Sequence, residues 1–420
     1  MAGSRWRMFS VVAALALVPL TVGTAMAQSG SPPGAQPPVR QIGTVSYPPP
    51  LHNPASVDIS WVDPATQTDY VADRSNNGVA AINAATGKFG ALIGAGDFTG
   101  DGSTATSSQQ AACGAHGVGG PNGAVTVHIG GITQVWAPDG VDAASPASTV
   151  KVYDLSTPDA GTLGTTVNTG GSCRADEIAY DPADHLMAVA NDLDSPPFVS
   201  FISVHRNPAA DTVVGTIKLP QAIDGLEQPL WNPLNGKFYL NIPQVPTSNG
   251  SWMGQVAVID PHSLAVQSSF PAPGCSPGGL ALDVATQQLI VGCSSDAISG
   301  DTVNGVTYPP NPAVSDIMDA RNGRIVRAFH QVGGSDEVWF DPAHQAYYLA
   351  ASSMTSNGLA SGTPAPVLGV ISARGDRWLG NVPTAASAHS VAADPVNGHV
   401  FVPIPGKGIA VFEPARADPG

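Results

Sequence analysis

Carboxylates, amides and histidines recur in this 420-residue chain at a fixed distance ahead of a repeated turn. Asp58 precedes Asp63, Asp176 and Glu177 precede Asp181, and Glu227 and Gln228 precede Asn232. Asp336 and Glu337 precede Asp341, and His389 and Ser390 precede Asp394. Each pair stands four or five residues before its anchor, so the side chains belong at equivalent heights in whatever the repeat builds. Six of these positions and their neighbours form a candidate metal set: Asp58, His116, Glu177, Glu227, Glu337 and His389. Converging oxygens suit a divalent cation such as calcium, which takes six to eight oxygen ligands. Two or three histidines with a glutamate suit a transition metal instead. Glu177, Glu337 and His389 are also the candidate catalytic bases, beside a metal that polarises a carbonyl or activates water. A third reading needs no ligand: a polar, hydrated ring whose groups are satisfied by water.

The elements that must position these residues come from the repeat. An apolar strand, a turn of Asp-Pro type and a second apolar strand recur with anchors at Asp63, Asp181, Asn232, Asp283, Asp341 and Asp394. A degenerate copy lies at His128-Ile129-Gly130-Gly131. A period near 55 residues that carries about four strands means radial repetition. The expected fold is all-β, a seven-bladed β-propeller of four-stranded blades spanning residues 41–414. In that fold the loops entering each inner strand and leaving each second strand gather around the channel. The first set adds His52 and Asn122, and the second adds Asp73, Asp139, Asn191, Asp192 and Asn241. His52, Asp73, Asp139, Asn191 and Asn241 are therefore candidate ligand-binding residues, together with Trp252 in the polar insertion Thr247–Gly254.

Blade one shows the pattern in full. Strands at Val57–Trp61, Thr68–Asp73, Val79–Asn83 and Phe89–Ile93 are separated by turns that include Asn76-Asn77-Gly78 and Ala85-Thr86-Gly87-Lys88. Such turns supply the positive-φ positions of short hairpins. The last blade runs out of chain after its third strand, Gly408–Phe412. Gln41–Tyr47, just ahead of blade one, is the available fourth strand, and closing the ring with it leaves no open edge. The segment Tyr70-Val71-Ala72-Asp73 through Val79-Ala80-Ala81-Ile82-Asn83 to Thr86-Gly87-Lys88 resembles the YVTN-type β-propeller repeat, which is related to NHL-type and lactonase-type propellers. Gln255–Val266 matches the second half of that repeat. The resemblance implies the fold over essentially all of residues 41–414 and almost nothing about function.

Arg5 and Arg7, the apolar run Val11–Val22 and Ala25-Met26-Ala27 read as a cleaved signal peptide over residues 1–27, followed by a Pro/Gly/Ser linker over 28–40 and a short tail over 415–420. No later run of ~20 apolar residues predicts a membrane span. The expected product is an exported, monomeric protein, periplasmic or extracellular. Its formal charge of −15, before loss of the two leader arginines, repels phosphate backbones and makes nucleic acid an unsuitable partner. Four cysteines in an exported chain predict disulfides. Cys113 and Cys173 precede neighbouring inner strands, while Cys275 and Cys293 flank one blade. Cys113–Cys173 and Cys275–Cys293 are the expected pairs among three connectivities.

Gly96–Ser103 is similar to Asp-rich calcium loops but lacks a twelfth-position glutamate, and reads as a Gly-rich insertion. Trp61, Trp136, Trp231, Trp339 and Trp378 read as blade packing. Nucleophile-elbow, zincin, phosphate-loop and dinucleotide motifs are absent from the sequence. Two functional classes follow. The first is an exported platform that binds a small molecule, metal ion or protein at the channel-mouth face, with long loops for recognition. The second is a metal-dependent lactonase, lyase or oxidoreductase that uses the carboxylate and histidine ring.

Overall fold

A computed structural model describes residues 36–114, 118–156, 161–248, 252–295, 301–303, 306–308, 314–358 and 362–415. The signal-peptide segment, most of the linker and His116 lie outside the described residues. Among the described residues no helix is long and apolar enough to cross a membrane.

Seven four-stranded antiparallel sheets follow one another around a ring. Blade one consists of Val57–Asp63, Thr68–Asp73, Gly78–Asn83 and Lys88–Ile93, in that order from the inside outward. Blade five carries an extra two-stranded hairpin, Asp301–Val303 with Val306–Tyr308, between its second and third strands. Blade seven takes Ala392–Ala393, Val400–Ile404 and Gly408–Pro414 from the C-terminal end. Its outer strand is Val39–Val45 from the other end of the chain, paired from Val39 opposite Pro414 to Val45 opposite Ile409. The ring is thus closed by the N-terminal strand.

A hydrogen bond local to each turn explains why the anchor is Asp or Asn. Asp63 Oδ1 accepts the amide of Ala65 at 3.0 Å. The same bond recurs from Ala183 to Asp181 at 2.8 Å, from Leu234 to Asn232 at 3.0 Å and from Ala285 to Asp283 at 2.9 Å. Ala343 to Asp341 at 2.9 Å and Val396 to Asp394 at 3.0 Å complete the series. This Asx turn lets the side chain replace a backbone partner where the strand reverses. Blade two has no such anchor, and Gly130 and Gly131 (φ 57° and 81°) make the reversal instead.

Packing between blades forms the core, in which adjacent sheets meet through apolar faces. Phe201 packs 5.9 Å from Phe238 between blades three and four. Disulfides join Cys113 to Cys173 and Cys275 to Cys293, the pairing expected from their places in the repeat. The first ties the insertion of blade two to the entry loop of blade three. The insertion itself forms a helix, Ser107–Cys113, capped reciprocally by Thr106 and Gln109. Its Asp97 accepts the Tyr153 hydroxyl at 3.0 Å.

Candidate functional site at the channel mouth

Inner strands are irregular where they enter the channel. Register shifts fall between Val57 and Ser60 and between Ala175 and Ile178, and they bracket Asp58 and the Asp176-Glu177 pair. In blade six, Asp336 donates its amide to Ala350 O at 3.3 Å, while Ala350 donates to Glu337 O at 3.0 Å. Glu227 and Gln228 share Asn241 in the same way, at 3.0 and 3.3 Å. Two residues opposing one is a β-bulge, and bulges turn strands and re-aim side chains. In blades one, three, four and six, the residues four and five before the anchors are these bulge residues.

The bulges bring charged groups from five blades together. Asp58, Asp176, Glu177, Asp192 and Glu337 are buried, and Glu227 and Asp336 are half-buried. Arg74 forms a tight ion pair with Asp58 Oδ2, and its Nη2 donates to Asn122 Oδ1 at 2.6 Å. His389 Nε2 lies 3.3 Å from the other Asp58 oxygen. Burial alone would raise Asp58, but Arg74, then His389 and Arg174, hold its carboxyl below the usual range. Burial lowers His389, yet Asp58 and Asp336 outweigh that and raise it. Arg174 Nη2 donates to Asp176 and to Asp192, each at 2.7 Å. One guanidinium serves two acids, so burial prevails and raises both carboxyls.

Glu337 Oε2 accepts from Ser390 Oγ at 2.5 Å and from the Val391 amide at 2.8 Å, tying blade six to blade seven. Burial still raises it well above the usual value. Glu177 is raised by burial and then by Asp176, Glu227, Asp336 and Glu337. Glu177 Oε2 and Glu337 Oε1 are buried and have no hydrogen-bond partner among the described residues. Among the described residues, no three His, Cys, Asp or Glu side chains are arranged to hold a metal ion. Arg74 and Arg174 already lie against the carboxylates that a cation would need.

The sequence-derived residues divide. Asp58, Glu177, Glu227, Glu337 and His389 converge as their spacing predicts. Asp73, Asp139, Asn191 and Asn241 are fully buried and brace the structure around them. Asp73 caps its turn through Asn76, and Asp139 accepts from Lys151 at 2.5 Å and from Thr99 Oγ1 at 2.6 Å. Asn191 joins Thr169 and Ser200, and Asn241 donates to Gly278 O at 2.6 Å in the next blade. His52 is an exposed side chain whose backbone bonds to Asn76, outside the converging cluster. Trp252 is 45% exposed at the start of the strand Trp252–Asp260. The residues missed from sequence are Arg74 and Arg174. The signal was their position: one follows Asp73 and the other sits two before Asp176, in a chain with only 17 Lys and Arg.

Below the charged mouth, the channel holds a partly open cavity of about 430 Å³ along the inner strands of blades one to six. Trp61, Trp231 and Trp339 line it, so these three do more than pack blades. Trp61 and Trp339 meet edge to face at 5.4 Å, across the two alanines of blade seven's short inner strand. A second recess of about 450 Å³ beside the mouth includes Asp336, Ser352, Ser353 and His389 in its wall.

No family model matches the chain, and no curated protein matches it either. The fold does match solved structures. The Neurospora crassa Pan2 WD40 domain aligns with TM-score 0.56 at 11% identity, over 90% of this chain and 96% of that one. A chain of the mitotic checkpoint complex aligns with TM-score 0.55 at 13% identity, over the same shares. At these identities the likeness shows the fold alone: the chain is a seven-bladed β-propeller of the shape seen in WD40 domains.

Proposed function

We propose that the chain is an exported β-propeller that binds a ligand, a small molecule or a partner's charged side chain, at the channel-mouth face. The single observation that carries this is the crowding at the mouth of seven carboxyls (Asp58, Asp176, Glu177, Asp192, Glu227, Asp336 and Glu337) with, among the described residues, Arg74, Arg174 and His389 to balance them. Burying charge beyond its partners costs stability, and folds retain it where it serves recognition or chemistry. The recess beside the mouth gives a ligand access to Asp336 and His389. Two disulfides support an oxidising, exported setting.

The enzymatic reading has one supporting observation, the His389–Asp58 pair, in which a carboxylate orients an imidazole. A divalent metal belongs to that second reading, since the mutual repulsion of Glu177, Glu227 and Asp336 is what a cation relieves. The test is a thermal-shift screen of metal ions, amino compounds, carboxylic acids and sugars on the wild type and on Arg74→Ala and His389→Ala. The platform reading expects at least one probe whose shift is lost in either variant. A screen in which both variants respond as wild type to every probe overturns it, and metal analysis of the purified protein decides the metal.

A further inference from the structure

We propose that the central channel cavity is a receptor for a protonated primary amine carrying an apolar, preferably aromatic, body. This deepens the platform reading and rests on it, but it concerns the space beneath the mouth. The cavity of about 430 Å³ lies within the roughly 300–1,000 Å³ range of small-molecule sites. Its two ends differ in chemistry. Glu177 and Glu337 line it four residues before their anchors, whereas Trp61 and Trp339 stand two before theirs and Trp231 one before. At about 3.3 Å per residue, the backbone positions that carry the indoles lie roughly 7–10 Å farther along their strands than those that carry the carboxyls.

Three observations converge on a cation with an apolar tail. First, Glu177 and Glu337 line the cavity although they are only 5% and 1% exposed, and each carries one buried oxygen, Oε2 and Oε1, without a hydrogen-bond partner among the described residues. An orphaned buried acceptor costs about 1–3 kcal/mol, which a ligand N–H donor recovers once the carboxyl rotates that oxygen toward the cavity. An ammonium group has three donors and can serve both glutamates. Second, the carboxyls outnumber the guanidinium and imidazole groups among the described residues, and burial and mutual repulsion raise most of them, so a bound cation is what lets them ionise. Third, the remaining wall is apolar and aromatic, with Leu230, Leu280 and Val338 beside the indoles. That lining binds an apolar body, and indole faces favour a nearby cation.

Gly123 offers a clean way to close the site. It lines the cavity, its φ is not in the left-handed region, and a Cβ there would meet nothing closer than Pro138 at 3.8 Å. Gly123→Leu therefore fills channel space without a clash at its first atom. The experiment uses 2-phenylethylamine and its neutral isostere 2-phenylethanol, with tryptophan fluorescence and calorimetry as readouts and thermal stability as the folding control. Saturable amine binding is expected, at least 10-fold tighter than the alcohol. Gly123→Leu and Glu177→Gln should each weaken it at least 10-fold while their melting temperatures stay within a few degrees of wild type or rise. Absence of amine binding, equal affinity for the alcohol, or amine binding that survives Gly123→Leu overturns the proposal. If the amine fails while mouth probes still respond to Arg74→Ala, the channel inference fails and the platform reading stands.

Discussion

His389 Nε2 lies 3.3 Å from Asp58 Oδ1, linking the entry loop of the last blade to the inner strand of the first. His389 is raised above its ordinary 6.5 and Asp58 is lowered below its ordinary 3.8. A raised histidine contributes stability below about pH 6.5 that fades as pH climbs through its folded value. A depressed aspartate contributes stability above about pH 3.8 that fades as pH falls through its folded value. The pair is therefore strongest between those limits. NMR titration should place His389 above 6.5, and Asp58→Asn should bring it down. An unchanged His389 titration in Asp58→Asn would refute the pairing.

Arg174 holds two buried aspartates at once, so its removal is more damaging than that of a surface arginine. Arg174→Ala should cost about 3–5 kcal/mol at pH 7, because Asp176 and Asp192 are left facing each other. Urea unfolding at pH 5 should show a smaller loss, since protonation then relieves the pair. A loss below 1 kcal/mol at both pH values would contradict the geometry.

Asp69 is fully buried in blade one, with neither carboxyl oxygen partnered among the described residues, and burial raises it to about 8. Asp316 in blade five is raised by burial to about 7. Both folded values exceed the unfolded one, so the native state keeps protons that the unfolded chain releases. Stability should fall between about pH 4 and pH 7–8, by about 1.4 kcal/mol per pH unit for each group. Asp69→Asn should flatten that slope and melt higher than wild type at pH 8. A wild type that melts higher at pH 8 than at pH 5 would oppose this.

The two disulfides should differ in weight. Cys113–Cys173 spans 60 residues and Cys275–Cys293 spans 18. Chain-entropy estimates give roughly 4 kcal/mol for the first and roughly 3 for the second. Double replacement by serine, followed by denaturant unfolding, checks both the order and the size.

The N-terminal strand closes the ring with Val39 and Val45, each almost fully buried. Deleting the chain through Val45 should remove roughly 3–6 kcal/mol of apolar burial and bare the edge of the strand Gly408–Pro414. A lower melting temperature and concentration-dependent aggregation are expected. A truncated protein that melts like the full chain would show that the ring closes without this strand.

Blade number, turn anchors, the late-closing strand and both cysteine pairs were legible in the sequence, because each rests on a local pattern repeated at a steady period. The Asp63–Ala65 bond spans two residues, and a bond that short writes itself into the chain as a motif. The same ruler placed Asp58, Glu177, Glu227, Glu337 and His389 at one end of the channel. What those residues do there was decided by the tertiary structure. Asp58 meets Arg74 across 16 residues and His389 across the joint between the chain's two ends, and no periodicity encodes such partners. Partners separated Glu177 and Glu337, each with an oxygen unpaired among the described residues, from braces such as Asp139 and Asn191, which look alike in sequence. The fold also turned three tryptophans toward the channel, because a side chain's exposure depends on how seven sheets meet around an axis rather than on its own strand.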